Sequence, residues 1–112
     1  MIDLNKKIEM CLLADFYGNL LTQKQKQIFE MYWEKDFSLF EISQELNISR
    51  QAVHDSLNKA ENTLQDIENK CGFISKYKET KLSMQQLINE LDLSNNIQNN
   101  IANRIKIIIS KL

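Results

Sequence analysis

Apolar residues recur along this chain at steps of three and four, the spacing of helix faces. Leu4, Ile8, Cys11, Leu12 and Phe16 make the first stripe, with Asp3, Lys6, Lys7 and Glu9 between them. They predict an amphipathic helix that Gly18 ends in a left-handed cap. Thr22, three residues before Gln25, reads as a capping box opening a second helix that carries Ile28, Phe29, Tyr32 and Trp33. A short Lys35-Asp36-Phe37 link leads to another capping box, Ser38 with Glu41, and a brief third helix buried through Leu39, Ile42 and Leu46. Asn47 suits the positive φ of a tight turn, Ile48 tucks in, and Ser49 caps a fourth helix starting at Arg50. Ala52, Val53, Leu57, Ala60, Leu64 and Ile67 keep one face over about five turns, with no breaker before Gly72. Ile74, Tyr77, Met84, Ile88 and Leu91 predict a fifth helix, Asp92 to Asn96 a break, and Ile97, Ile101, Ile105, Ile108 and Leu112 a last helix.

Composition agrees with this pattern. The 112 residues include no proline and two glycines, and 43% are apolar, enough for one domain with a modest core. The expected fold is all-α: a helix-turn-helix domain over residues 1–72 and a C-terminal helical extension over 73–112. That extension packs on the domain or on a partner subunit, giving a single structural domain overall. The start lacks a basic signal region and no apolar run approaches the length of a membrane span, so a cytoplasmic protein without membrane insertion is expected.

Net charge is −1, but it is unevenly spread. Residues 1–69 hold seven Lys/Arg against twelve Asp/Glu, a balance of −5, and residues 70–112 hold seven against three, a balance of +4.

Residues 37–53 carry the functional signal. Two short helices joined by a tight turn, the second opening on exposed polar residues, have the sequence form of a helix-turn-helix. Ser43 is small enough for the first helix to approach the second closely, and Ile48 and Val53 anchor the turn and second helix to the core. Arg50, Gln51, His54, Asp55 and Asn58 are left facing outward. Arg pairs with guanine and Gln or Asn with adenine in a major groove, while Ser49 and the free amides beside it suit a phosphate. Ser49, Arg50, Gln51, His54, Asn58 and Lys59 are therefore the candidate nucleic-acid-binding residues, with DNA favoured over RNA. Against this, residues 35–60 hold three cationic side chains and four acidic ones.

The same stretch resembles the promoter-reading C-terminal region of bacterial sigma factors, where Ser-Leu-x-Glu-Ile-Ala leads to an Ile-Ser-Arg helix start. Here Ser43 replaces the alanine and Asn47 the usual glycine. It is more similar to the YlxM family of small DNA-binding proteins of low-GC Gram-positive bacteria. That resemblance rests on Leu12-Leu13-Ala14-Asp15-Phe16-Tyr17-Gly18, on Leu20-Leu21-Thr22, and on Ser49-Arg50-Gln51-Ala52-Val53 leading to Lys59-Ala60-Glu61, and covers roughly residues 1–90. It implies a link to protein targeting, because YlxM genes neighbour those of the signal recognition particle, whose components become expected partners.

Other chemistries find no footing. His54 is the sole histidine, with no nucleophile and orienting acid assignable around it, so no catalytic residue and no enzyme activity are expected. Cys11 and Cys71 stand far apart without clustered histidines, so neither a metal site nor a disulfide is expected, and no Gly-rich phosphate loop occurs. No cofactor is implied.

Phe29, Tyr32, Trp33, Phe37 and Phe40 are dense enough for base stacking, but their helical spacing favours a packed aromatic core. Lys70, Lys76, Lys78 and Lys81 read as a solvated basic band beside Tyr77, with an RNA or phosphate contact as the sharper alternative. The last helix is apolar on more than one stripe, so Ile101, Ile105, Ile108 and Leu112 are the expected interface of a homodimer. Three readings stand together: sequence-specific DNA recognition from Arg50 onward, an RNA- or protein-binding accessory subunit of the signal recognition particle, and a protein-interaction scaffold.

Overall fold

Side-chain oxygens, one carboxylate and three hydroxyls, set where the helices of the N-terminal half begin. In the computed structural model, which describes residues 3–91 and 96–112 (for 96–99 the backbone alone), Asp3 caps helix α1, Leu4–Tyr17, by accepting from the Asn5 N–H. Thr22 and Gln25 close a reciprocal capping box on α2, Gln23–Phe29, and Ser38 with Glu41 closes another on α3, Leu39–Leu46. Ser49 caps α4, Arg50–Cys71, through a 3.0 Å bond from the Ala52 N–H. Each cap satisfies amide donors that the first helical turn leaves unpaired. Asn47 ends α3 at φ 54° and Gly72 ends α4 at φ 66°, the left-handed closures that their residue types tolerate. Helices α5, Phe73–Leu91, and α6, Asn96–Ser110, complete the described chain, which contains no strand among the described residues.

The first helix corrects the sequence reading. Its buried residues are Met10, Leu13 and Tyr17, whereas Leu4, Ile8 and Phe16 of the expected stripe are exposed, and Cys11 and Leu12 are only half-buried. Apolar side chains lie on two neighbouring stripes of α1, and spacing alone does not choose between them. The choice is made by Tyr17, whose hydroxyl donates to Glu68 Oε1 at 2.6 Å, so the ring is buried with its polar tip satisfied. Glu68 Oε1 also accepts from the Ile74 N–H at 3.0 Å, which ties the end of α1 to the end of α4 and the start of α5. Gly18 is likewise not a left-handed cap: at φ −57° it opens a 3-10 turn, Gly18–Leu20.

Helix α2 continues into a wide π turn, Glu30–Glu34, closed by Lys35 N–H bonding to the Glu30 carbonyl five residues back. It packs on α4, and its π turn packs on α1 and α3, so Ile28, Phe29, Met31 and Trp33 are all buried. Tyr32 meets Trp33 edge-on at 5.0 Å. Phe40 departs from the expected aromatic core and faces outward from α3.

The described chain divides into two compact units, Met1–Ile74 and Ser75–Leu112. In the second, Ile88, Ala102 and Ile109 form the buried centre, flanked by Met84, Leu91 and Ile105. The buried face of α6 is therefore Ala102 and Ile109, while Ile101, Ile108 and Leu112 of the apolar stripe read from the sequence are exposed. The break expected at Asp92–Asn96 lies, Asn96 apart, outside the described residues, as does the Ile97 side chain. No described helix is long and apolar enough to cross a membrane.

Candidate nucleic-acid interface

Helices α3 and α4 and the turn between them form a helix-turn-helix. Ser43 is buried where α3 packs on α4, and its Oγ donates to the Phe40 carbonyl at 2.6 Å, so a hydroxyl is accommodated where the helices approach. Ile48 is half-buried, and its N–H bonds to the Ser43 carbonyl at 3.1 Å, which tightens the turn behind Asn47. Val53, Leu57, Ala60 and Leu64 lock α4 to the core.

With that face committed, all six sequence-derived contact residues are exposed: Ser49, Arg50, Gln51, His54, Asn58 and Lys59. Ser49 spends its hydroxyl on the helix cap. Gln51 Nε2 donates to Asp55 Oδ1 at 2.9 Å, and the same oxygen lies 3.7 Å from His54 Nδ1. Asp55 thus stands among the outward polar groups and reduces their net positive charge.

Two neighbouring surfaces complete the site. Lys24 and Lys26, with Gln23 and Gln27 on α2 and Glu30 of the π turn, face Leu46 at the end of α3 and Ile48 of the turn across an open groove of about 840 Å³. The fold therefore brings Lys24 and Lys26 beside the turn, and Lys26 Nζ is held 3.0 Å from Asn19 Oδ1, a neutral acceptor that leaves its charge in place. Lys35 does not line this groove. On the other side, His54 and Asn58 line a cleft of about 330 Å³ with Lys6, Trp33, Leu57 and Glu61 among its walls. Burial raises the Glu61 carboxyl above the ordinary glutamate value, and Lys6, the Trp33 indole and His54 each pull it back part of the way. The Trp33 N–H is buried without a direct hydrogen-bond partner, so it favours the carboxylate by its partial charge rather than through a closed bond.

Charge reasoning from the sequence names Lys24, Lys26 and Lys35 as the cations that could lie alongside this face, and Lys24 and Lys26 are the two that line the groove. Both lie on the helix before the helix-turn-helix, and their charge bears on this face only because α2 lies beside the turn. Glu61 stood in the sequence only as part of the Lys59-Ala60-Glu61 run and not as a site residue, because its environment comes from α1 and the π turn. Of the basic band, Lys70 pairs with Asp66 at 2.9 Å and Lys81 sits 5.7 Å from the centre of the Tyr77 ring. No group of three or more His, Cys, Asp or Glu side chains able to hold a metal ion occurs among the described residues.

A family model described as "Putative helix-turn-helix protein, YlxM / p13 like" matches residues 4–107, further than the motif resemblance reached and into α6. A UPF0122 protein of Desulforamulus reducens is 47% identical over 81 residues, covering 72% of this chain and 69% of the relative. UPF0122 proteins of Exiguobacterium sibiricum and Clostridium novyi are 41% identical over 99 residues and 38% over 103, covering 88% and 89% of this chain and 92% and 89% of the relatives. With its helix-turn-helix formed and this match over nearly its whole length, the chain belongs to the UPF0122 family of YlxM/p13-like proteins.

Proposed function

We propose that the protein binds double-stranded DNA as a regulatory or accessory factor, with the start of α4 in the major groove. The observation that carries this reading is the exposure of Ser49, Arg50, Gln51, His54, Asn58 and Lys59 on a helix start whose opposite side is fixed by Val53 and Leu57. Arg50 is the candidate for guanine, and Gln51 and Asn58 for adenine. Lys24 and Lys26, across the groove from the turn, suit the phosphate backbone and supply the positive charge that Asp55 removes from α4.

Residues 1–72 then act as the DNA-reading domain and 73–112 as its helical extension, a division supported by the two compact units. Self-association as a homodimer is supported by the exposure of Ile101, Ile108 and Leu112, while Ile105 is partly taken up by the unit's own core. Two-fold pairing would place two helix-turn-helix units on paired half-sites. Service to the signal recognition particle is supported by the motif resemblance.

One observation favours a second reading, RNA or protein binding as an accessory of that particle: Lys76 and Lys78 are exposed in a segment, residues 70–112, whose balance is +4. Selection from a random duplex pool at low salt tests the first reading. An enriched motif is expected, and Arg50→Ala and Gln51→Ala should each weaken binding to it by about tenfold with unfolding midpoints unchanged. Recovery of no motif, with retention of RNA instead, would replace the first reading by the second.

A further inference from the structure

Asp55 is a carboxylate at the centre of a surface that would meet a polyanion. It is exposed, with 66% of its side chain open, and makes no contribution to the core. Its place is explained by what it holds. Asp55 Oδ1 accepts from Gln51 Nε2 at 2.9 Å, one helical turn away on the same face. A carboxylate only accepts, so the end of the Gln51 amide that faces it is the NH2 group. The carbonyl Oε1 then lies on the side away from Asp55, and the second Nε2 hydrogen remains free. That ordered donor and acceptor is the pair that meets N7 and the N6 amino group of adenine in a major groove. An amide with no such neighbour presents its two ends in either order, and binding must then select one of them at an entropic cost.

We propose that Asp55 is a positioning residue: it fixes the orientation of the Gln51 amide so that α4 selects adenine at one position of a DNA site. This rests on the DNA-binding reading above. The negative charge has a separate effect, since it repels phosphate and lowers affinity for unrelated sequence, where backbone contacts dominate.

Two substitutions separate the roles. Asp55→Asn keeps a carbonyl acceptor at nearly the same reach and loses the charge, whereas Asp55→Ala loses both. Selection from random duplexes is run with the full chain, with both variants and with Gln51→Ala, after circular dichroism shows equal unfolding midpoints. The parent protein should enrich a motif containing an adenine preferred by about tenfold. That preference should vanish in Gln51→Ala, fall severalfold in Asp55→Ala and persist in Asp55→Asn. Both Asp55 variants should bind an unrelated duplex several times more tightly than the parent at low salt. An adenine preference unchanged in Asp55→Ala overturns the proposal alone, and so does its equal loss in Asp55→Asn. No enriched motif for the parent protein overturns the proposal together with the reading beneath it.

Discussion

Glu61 shows how a single side chain is tuned by the packing of elements distant in sequence. Burial raises its pKa, and Lys6, the Trp33 indole and His54 only partly offset that effect. The native state therefore holds the Glu61 proton more tightly than the unfolded chain does. Between the ordinary glutamate value and the raised native one, the native state binds more protons, so this group's contribution to stability falls as pH rises. Below the ordinary value both states are protonated and no penalty remains. Glu61→Gln keeps a side-chain carbonyl and nearly the same shape beside Trp33 and removes the ionisation. Urea midpoints should show the variant gaining on the parent at neutral pH and matching it more closely near about pH 4. An equal difference at both pH values would mean that the carboxyl's environment is not what sets its stability effect.

Among the elements, those governed by neighbours three or four residues away were legible in the sequence. The capping boxes at Thr22 and Ser38, the Ser49 cap and the left-handed closure at Asn47 are local hydrogen-bonding solutions, and each formed where the residues implied. Helix faces were legible only where one stripe is apolar, as in α4. On α1 the choice of Met10, Leu13 and Tyr17 depends on Glu68, fifty-one residues from Tyr17, and on α6 the small Ala102 is what allows close approach to Ile88. The π turn and the exposure of Phe40 left no mark on periodicity, because the stretch of residues 28–33 is apolar on several sides and α3 is too short to show a second face. The outward polar set from Ser49 to Lys59 was readable for the same reason that the α4 core face was. The Lys24–Lys26 groove was not, since it exists only when α2 lies against the turn. The Ser49 cap offers a direct check: Ser49→Ala leaves the Ala52 N–H without its partner and should cost about 1 kcal/mol. An unfolding midpoint equal to that of the parent would show that the turn, and not the hydroxyl, fixes where α4 starts.

For the whole molecule, the proposed self-association has the most consequence for the proposed DNA reading. Ile101, Ile107, Ile108 and Leu112 are each 44–57% exposed, and Arg104, Lys106 and Lys111 lie between or beside them. Deleting α6 would also remove Ala102 and Ile109 from the core of its own unit, so substitution of exposed positions is the better probe. Sedimentation equilibrium should give a mass above 13.2 kDa for the parent at micromolar concentration. Ile101→Asp combined with Ile108→Asp should return it to the monomer without changing helical content. A concentration-independent 13.2 kDa for the parent would remove the homodimer.

Trp33 is the sole tryptophan of the chain and lies in the core of Met1–Ile74. Its emission is therefore a reporter confined to one compact unit, whereas far-ultraviolet ellipticity sums over the helices of both. Coincident melting curves from the two signals would mark the chain as one cooperative block. A tryptophan transition displaced from the ellipticity transition would reveal two separately melting parts, in a protein whose sequence places its single tryptophan where selective excitation can tell them apart.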